Sequence, residues 1–75
     1  MREHKREYVV DIRRADDVDV WIGTSEEIPG LVLEAETIDQ LIKRTELAVP
    51  ELLDINEMDA ASSLYYHVQG FRRHL

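Results

Sequence analysis

Only one stretch of this chain repeats its apolar residues at helical spacing, and that limits the folds open to it. Ile38, Leu41, Ile42, Thr45, Ala48, Val49, Leu52 and Leu53 recur every three or four positions and form one apolar stripe. The other apolar runs alternate with period two, the pattern of a half-buried strand. A single helix can cover a single face of a sheet. The expected architecture is therefore α+β, a two-layer sandwich with one helix packed on one face.

The strands can be placed along the chain. Tyr8, Val10 and Ile12 alternate with Val9, Asp11 and Arg13, which predicts a strand over about 6–14. Ala15-Asp16-Asp17 reads as a polar turn. Val18, Val20 and Ile22 then alternate with Asp19 and Trp21, a second strand over about 18–25 that completes a hairpin. Ile28-Pro29-Gly30-Leu31 meets the type II turn requirement, with proline at the second position and glycine at the third. A third strand over about 31–35 sets Leu31, Leu33 and Ala35 against Val32 and Glu34.

Thr37-Ile38-Asp39-Gln40 fits a capping box and opens the helix, predicted over about 38–54. Pro50 lies inside it, removes one hydrogen bond and crowds the carbonyl of Glu46, so a kink or break is expected there. Leu47 falls opposite the stripe. Asn56 to Asp59 reads as loop. Leu64, Tyr66 and Val68 alternate with Tyr65, His67 and Gln69 in a fourth strand over about 63–71. The order is β-β-β-α-β without repeat or linker, one domain over 1–75.

A chain of 75 residues without cysteine has no disulfide or thiolate-metal support. It buries only about 60% of its unfolded surface, so tight packing or self-association is needed, and a homodimer or higher homo-oligomer is expected. The sheet face away from the helix reads as carrying Val9, Trp21, Val32 and Tyr65, a candidate surface for a partner or a second copy. No apolar run approaches the about 20 residues of a membrane span. The first seven residues are mostly charged and include no apolar segment of a secretory signal. A cytoplasmic protein without membrane contact is expected.

The net charge of −7 is unevenly spread. Residues 15–59 hold two basic and thirteen acidic side chains, while residues 1–14 and 60–75 are each weakly basic. An acidic centre repels nucleic acid and attracts basic partners. Arg2, Lys5, Arg6, Arg13, Arg14, Arg72 and Arg73 would gather only if the first and last strands were neighbours. No helix-turn-helix or ribbon-helix-helix segment follows the fourth strand, so binding of nucleic acid by this chain alone is not expected.

Catalytic patterns are missing from the sequence. Thr24 and Ser25 have no histidine nearby in sequence, Ser62 and Ser63 read as strand entry, and His4, His67 and His74 show no metal-ligand spacing. Asp11, Asp19 and Glu34 are the carboxylates that a metal-dependent nuclease would have to bring together. Apolar and basic residues separate them. The reading is of a non-enzyme with no cofactor and no metal.

Val20-Trp21-Ile22-Gly23-Thr24-Ser25-Glu26-Glu27-Ile28-Pro29-Gly30-Leu31, then Glu34-Ala35-Glu36-Thr37-Ile38-Asp39-Gln40-Leu41, then Val49-Pro50-Glu51-Leu52-Leu53 resembles the HicB-like antitoxin domain, especially its short stand-alone members. The match is close over about half the chain and extends to the strand order throughout. The resemblance implies a trimmed ribonuclease H core without its catalytic carboxylates, in which the fourth strand lies parallel beside the first. It also implies a role, covering a small basic HicA-type ribonuclease toxin. On that reading Trp21, Glu26, Glu27, Pro29 and Glu34 are the expected contact residues, with Trp21 as anchor. The alternative is an orphan, self-associating structural or regulatory domain with no toxin.

Overall fold

Tyr8, Val10 and Ile12 are wholly removed from solvent, and the strand that carries them lies inside the sheet. The computed structural model describes residues 5–69. It comprises β1 (Lys5–Arg14), β2 (Trp21–Thr24), β3 (Val32–Ala35), α1 (Ile38–Ile55) and β4 (Ala60–Gln69). The sheet order is β3-β2-β1-β4. β1 pairs antiparallel with β2 and parallel with β4, and β2 pairs antiparallel with β3. The architecture is therefore the expected α+β arrangement with one helix on the sheet.

The helix forms where the stripe lies. Leu41, Thr45, Val49 and Leu53 are buried, and Ile38, Ile42, Ala48 and Leu52 are half-buried beside them. Each fully buried aliphatic side chain contributes about 1.5–3 kcal/mol. Leu47 points away and is 79% exposed. Thr37 caps the start, its Oγ1 accepting from the Gln40 N–H at 3.1 Å. Thr45 is buried, but its hydroxyl donates to the Leu41 carbonyl at 2.8 Å and so is satisfied. Helix and sheet meet closely at Gly23, where an added Cβ would lie 3.4 Å from Leu41.

The type II turn forms as expected. Gly30 has φ +88°, and the Leu31 N–H donates to the Ile28 carbonyl at 3.3 Å. The turn inserts Ile28 and Leu31, both buried, into the core. Asn56 closes the far end of the helix, its Nδ2 donating to the carbonyls of Leu52 at 2.8 Å and Pro29 at 3.3 Å.

Three expectations are corrected. Of the kink or break expected at Pro50, the break does not occur, and the helix continues through Pro50 to Ile55. Pro50 and Glu46 are both exposed, so water can serve the carbonyl left without an N–H partner. β2 begins at Trp21 rather than at residue 18, because residues 15–20 form a loop closed by the Ala15 N–H donating to the Val20 carbonyl at 2.9 Å. Val18 is consequently 57% exposed. β4 begins earlier than expected, at Ala60, and absorbs Ser62 in a bulge opposite Arg6 and Glu7. The expected extension of this strand to residue 71 lies outside the described residues.

The unbroken helix yields a test. Pro50→Ala restores a backbone donor at an exposed site and should raise stability by about 1–2 kcal/mol in urea unfolding. A lowered midpoint would mean that Pro50 holds structure through packing.

Candidate functional site

α1 covers one face of the sheet, and the register determines what the other face displays. Across β1 and β4 it pairs Glu7 with Ser63, Val9 with Tyr65, Asp11 with His67 and Arg13 with Gln69. Across β1 and β2 it pairs Asp11 with Thr24 and Arg13 with Ile22. β3 extends the same face through Ile22 opposite Glu34 and Thr24 opposite Val32. The open face thus has apolar residues at Val9, Ile22, Val32 and Tyr65, interspersed with Glu7, Asp11 and Glu34. Val9 is 40% exposed, Tyr65 52% and Val32 68%.

Polar contacts order part of this face. The Tyr65 hydroxyl donates to Glu7 Oε2 at 3.3 Å. Asp11 Oδ1 lies 3.4 Å from His67 Nδ1 and accepts from Gln69 Nε2 at 3.5 Å. Glu26 and Glu27 border a shallow depression of about 410 Å³ with Val9, Asp11, His67 and Gln69.

The loop after β2 is held against this face by side chains that replace strand pairing. The Ser25 hydroxyl donates to the Val9 carbonyl at 2.7 Å and accepts from the N–H groups of Glu27 and Ile28 at 3.1 and 3.3 Å. Glu27 Oε1 accepts from the Val9 N–H at 2.8 Å. Both edge groups of Val9 are therefore satisfied, and Ile28 is steered into the core.

Of the five expected contact residues, the structure brings Glu26, Glu27 and Glu34 to the open face. Glu27 is committed to the backbone of β1. Pro29 is exposed in the turn, with its carbonyl directed to Asn56. Trp21 is the main correction. It pairs with Arg14 and with buried Ala35, shares the helix-bearing face with Gly23, and packs half-buried against the core. The Arg14 guanidinium lies 5.2 Å from its ring centroid. Ile22 occupies the open-face position expected of Trp21. Gly23 was the available signal, because a strand glycine under a helix marks the close-packed face, and Trp21 stands two residues away.

The three carboxylates considered for metal chemistry are dispersed. Asp11 contacts His67, Asp19 pairs with Arg14 in the loop, and Glu34 lies on β3. Among the described residues no three His, Asp or Glu side chains gather in a metal-binding group. Nor do the basic residues form one patch. Arg6 lies over Tyr8 near the start of β1, and Arg13 and Arg14 lie at its end on opposite faces. Arg2, Arg72 and Arg73 fall outside the described residues. No described helix is long and apolar enough to cross a membrane.

On the helix side, α1 leaves a groove beside β4, lined by Val49, Pro50, Ala61, Leu64 and Tyr66 together with Glu46 and two serines of β4. The Tyr66 hydroxyl is shielded there without a hydrogen-bond partner among the described residues. Burial, and secondarily the charge of Glu46, raise its pKa above the ordinary 10.0.

Two outcomes follow from this surface. Ser25→Ala removes three hydrogen bonds at once and should cost about 1–2 kcal/mol in urea unfolding; an unchanged midpoint would show that the turn holds itself. For Tyr66, the folded state keeps its proton above the pH at which the unfolded chain releases it. Stability from this group is therefore intact below pH 10.0 and falls as pH rises through the folded value. Tyr66→Phe should flatten that alkaline loss in melting curves, and identical slopes in both proteins would refute the assignment.

Comparison with known proteins agrees with the fold. A hypothetical protein of the extremely thermophilic bacterium Thermus thermophilus has a crystal structure similar to this one, at a TM-score of 0.75 and 27% identity, covering 93% of this chain and 99% of that one. No curated protein matches the sequence significantly. A family described as a domain of unknown function, DUF1902, matches residues 7–72. The match spans most of the chain, and the chain belongs to the DUF1902 family.

Proposed function

We propose that this domain is an antitoxin-like protein-binding module whose open sheet face covers a small basic ribonuclease of the HicA type. The observation that carries the reading is the exposure of Val9, Val32 and Tyr65 among the carboxylates of Glu7, Asp11, Glu26 and Glu34. Exposed apolar residues set among charges that are mostly acidic, with Arg13 at the end of β1, form a surface suited to binding a protein. Its charge selects the partner. Acidic groups speed encounter with a basic protein and disfavour acidic competitors. The resemblance of residues 20–53 to the HicB-like domain supports the same reading. Because Trp21 packs on the other face, the proposed contact set is Val9, Val32, Tyr65, Glu26 and Glu34, and Glu27 supports it from the loop after β2 through its bond to the Val9 N–H.

An orphan role, in which the chain associates only with itself, is favoured by a separate observation: no described strand pairs with the outer edge of β4.

The test is co-purification with a small basic ribonuclease encoded beside this protein, followed by binding kinetics at low and high salt. The wild type should associate more slowly as salt rises. Val32→Lys with Glu34→Lys should weaken binding at least about tenfold, a typical loss at an interface hot spot. Trp21→Phe, which keeps the core filled, should change affinity little. Equal binding by the face variant, or association indifferent to salt, would sink the proposal.

A further inference from the structure

β4 is an edge strand of ten residues whose one protection is the bulge at Ser62, near its start. Natural sheets guard exposed edges with short strands, charges or prolines. β3, the opposite edge, has them. It is four residues long, carries Glu34, and is flanked by Pro29 and Glu36. β4 has none. Ala60–Gln69 contains no Asp, Glu, Lys, Arg or Pro.

That neutrality is unusual for this chain. One third of all residues are charged, yet Ala60 to Phe71 is an uncharged run of twelve, twice the length of the next. The occupant must therefore suit an uncharged strand edge. A basic protein gains nothing there from the acidic charge. A second copy, repelled by the net charge of −7 elsewhere, meets no opposing charge from β4 itself. An antiparallel pair of identical strands is also self-complementary, as a two-fold interface requires.

Side-chain burial points to the same place. Tyr65 and Val68 are 52% and 38% exposed on the two sides of the strand. Beside them lie half-buried Leu64 and Tyr66, in the groove that α1 leaves uncovered.

We infer that two copies of this chain dimerise by antiparallel pairing of their β4 edges, joining two four-stranded sheets into one of eight. The two-fold axis stands perpendicular to the sheet. Both helices lie on one side and both open faces on the other. About ten backbone hydrogen bonds form across a full-length pairing, and the grooves beside β4, lined by Val49, Leu64 and Tyr66 as well as Glu46, face each other. The inference does not rest on the toxin reading, since it concerns the sheet edge and needs no other protein.

The experiment is light scattering of the intact chain after size exclusion at about 100 μM, with hydrogen exchange of the same samples. The wild type should run at twice the 8.8 kDa chain mass. Parallel pairing with β1 occupies alternate amides of β4, and the remaining ones should be protected in the dimer. Ser62→Glu with Val68→Glu places like charges on the paired edges. This variant should be monomeric, retain its circular dichroism and lose protection at those outward amides. Val32→Glu alters the open face beside the other edge and should remain dimeric. A monomeric wild type, rapid exchange of the outward β4 amides, or a dimer disrupted by Val32→Glu but not by the β4 variant would overturn the inference. If the double variant fails to fold, the wild-type mass and amide exchange decide the question.

Discussion

Burial of the Tyr8–Val10–Ile12 row beneath α1 is the constraint on which the other elements depend. β1 pairs on both sides, so its position fixes β2 through one ladder and β4 through the other. Ile12 lies opposite Gly23, over which Leu41 packs at contact distance from where a Cβ would stand. At the other end the Tyr8 hydroxyl donates to the Asp59 carbonyl at 2.8 Å, tying the chain that leads into β4 to the central strand. A buried tyrosine needs such a partner, and here the partner also positions the next element. With β1 placed, the odd-numbered residues from Glu7 to Arg13 are left on the uncovered face. The candidate surface is thus a consequence of how the core is built.

What could be read from the sequence was local and periodic. The helix stripe, the Ile28–Leu31 turn and the alternation of β1 depend on neighbours a few residues apart, and they appear as expected. The errors concern contacts between distant segments. Trp21 and Ile22 alternate as period two requires, but only the pairing of β2 with β1 and β3 decides which residue faces the helix. The parallel placement of β4 beside β1 came from resemblance, because periodicity carries no information about strand order. Pro50 does not break the helix because propensity describes an isolated helix, whereas packing of Val49 and Leu53 holds this one together. The helix end falls at Ile55, one residue past the expected 54. Glu57 takes φ +56° and closes the helix with bonds from Glu57 to Asp54 and from Met58 to Leu53, a position where glycine is the usual signal. Nothing in the sequence marked Ser25 and Glu27 as substitutes for strand pairing.

Charge and apolar exposure are divided between different parts of the sheet. The open face sets Val9, Ile22, Val32 and Tyr65 among carboxylates, whereas the edge of β4 is uncharged along its whole length. A surface suited to a basic protein and an edge suited to an identical copy need not compete, because an edge binds through backbone groups and a face through side chains. The acidic centre of the chain has a double effect. On the proposed reading it would draw a basic partner to the open face and confine self-association to the segment from which charge is absent.

Tyr65 is where the two proposed surfaces meet. It belongs to β4 and faces away from the helix, so in a two-fold pair both copies of Tyr65 stand near the seam on the open side. The two acidic faces then lie in one plane, and a partner covering one of them borders the other. Linkage follows. If a bound partner holds Tyr65 in the conformation that the dimer also favours, dimerisation raises partner affinity by the same factor that the partner raises dimer affinity. If the partner instead needs Tyr65 rotated toward itself, each event weakens the other equally. The hydrogen bond from Tyr65 to Glu7 at 3.3 Å restrains that rotation from within one copy. The sign of the coupling is therefore set by whether Glu7 keeps the Tyr65 hydroxyl or the partner takes it.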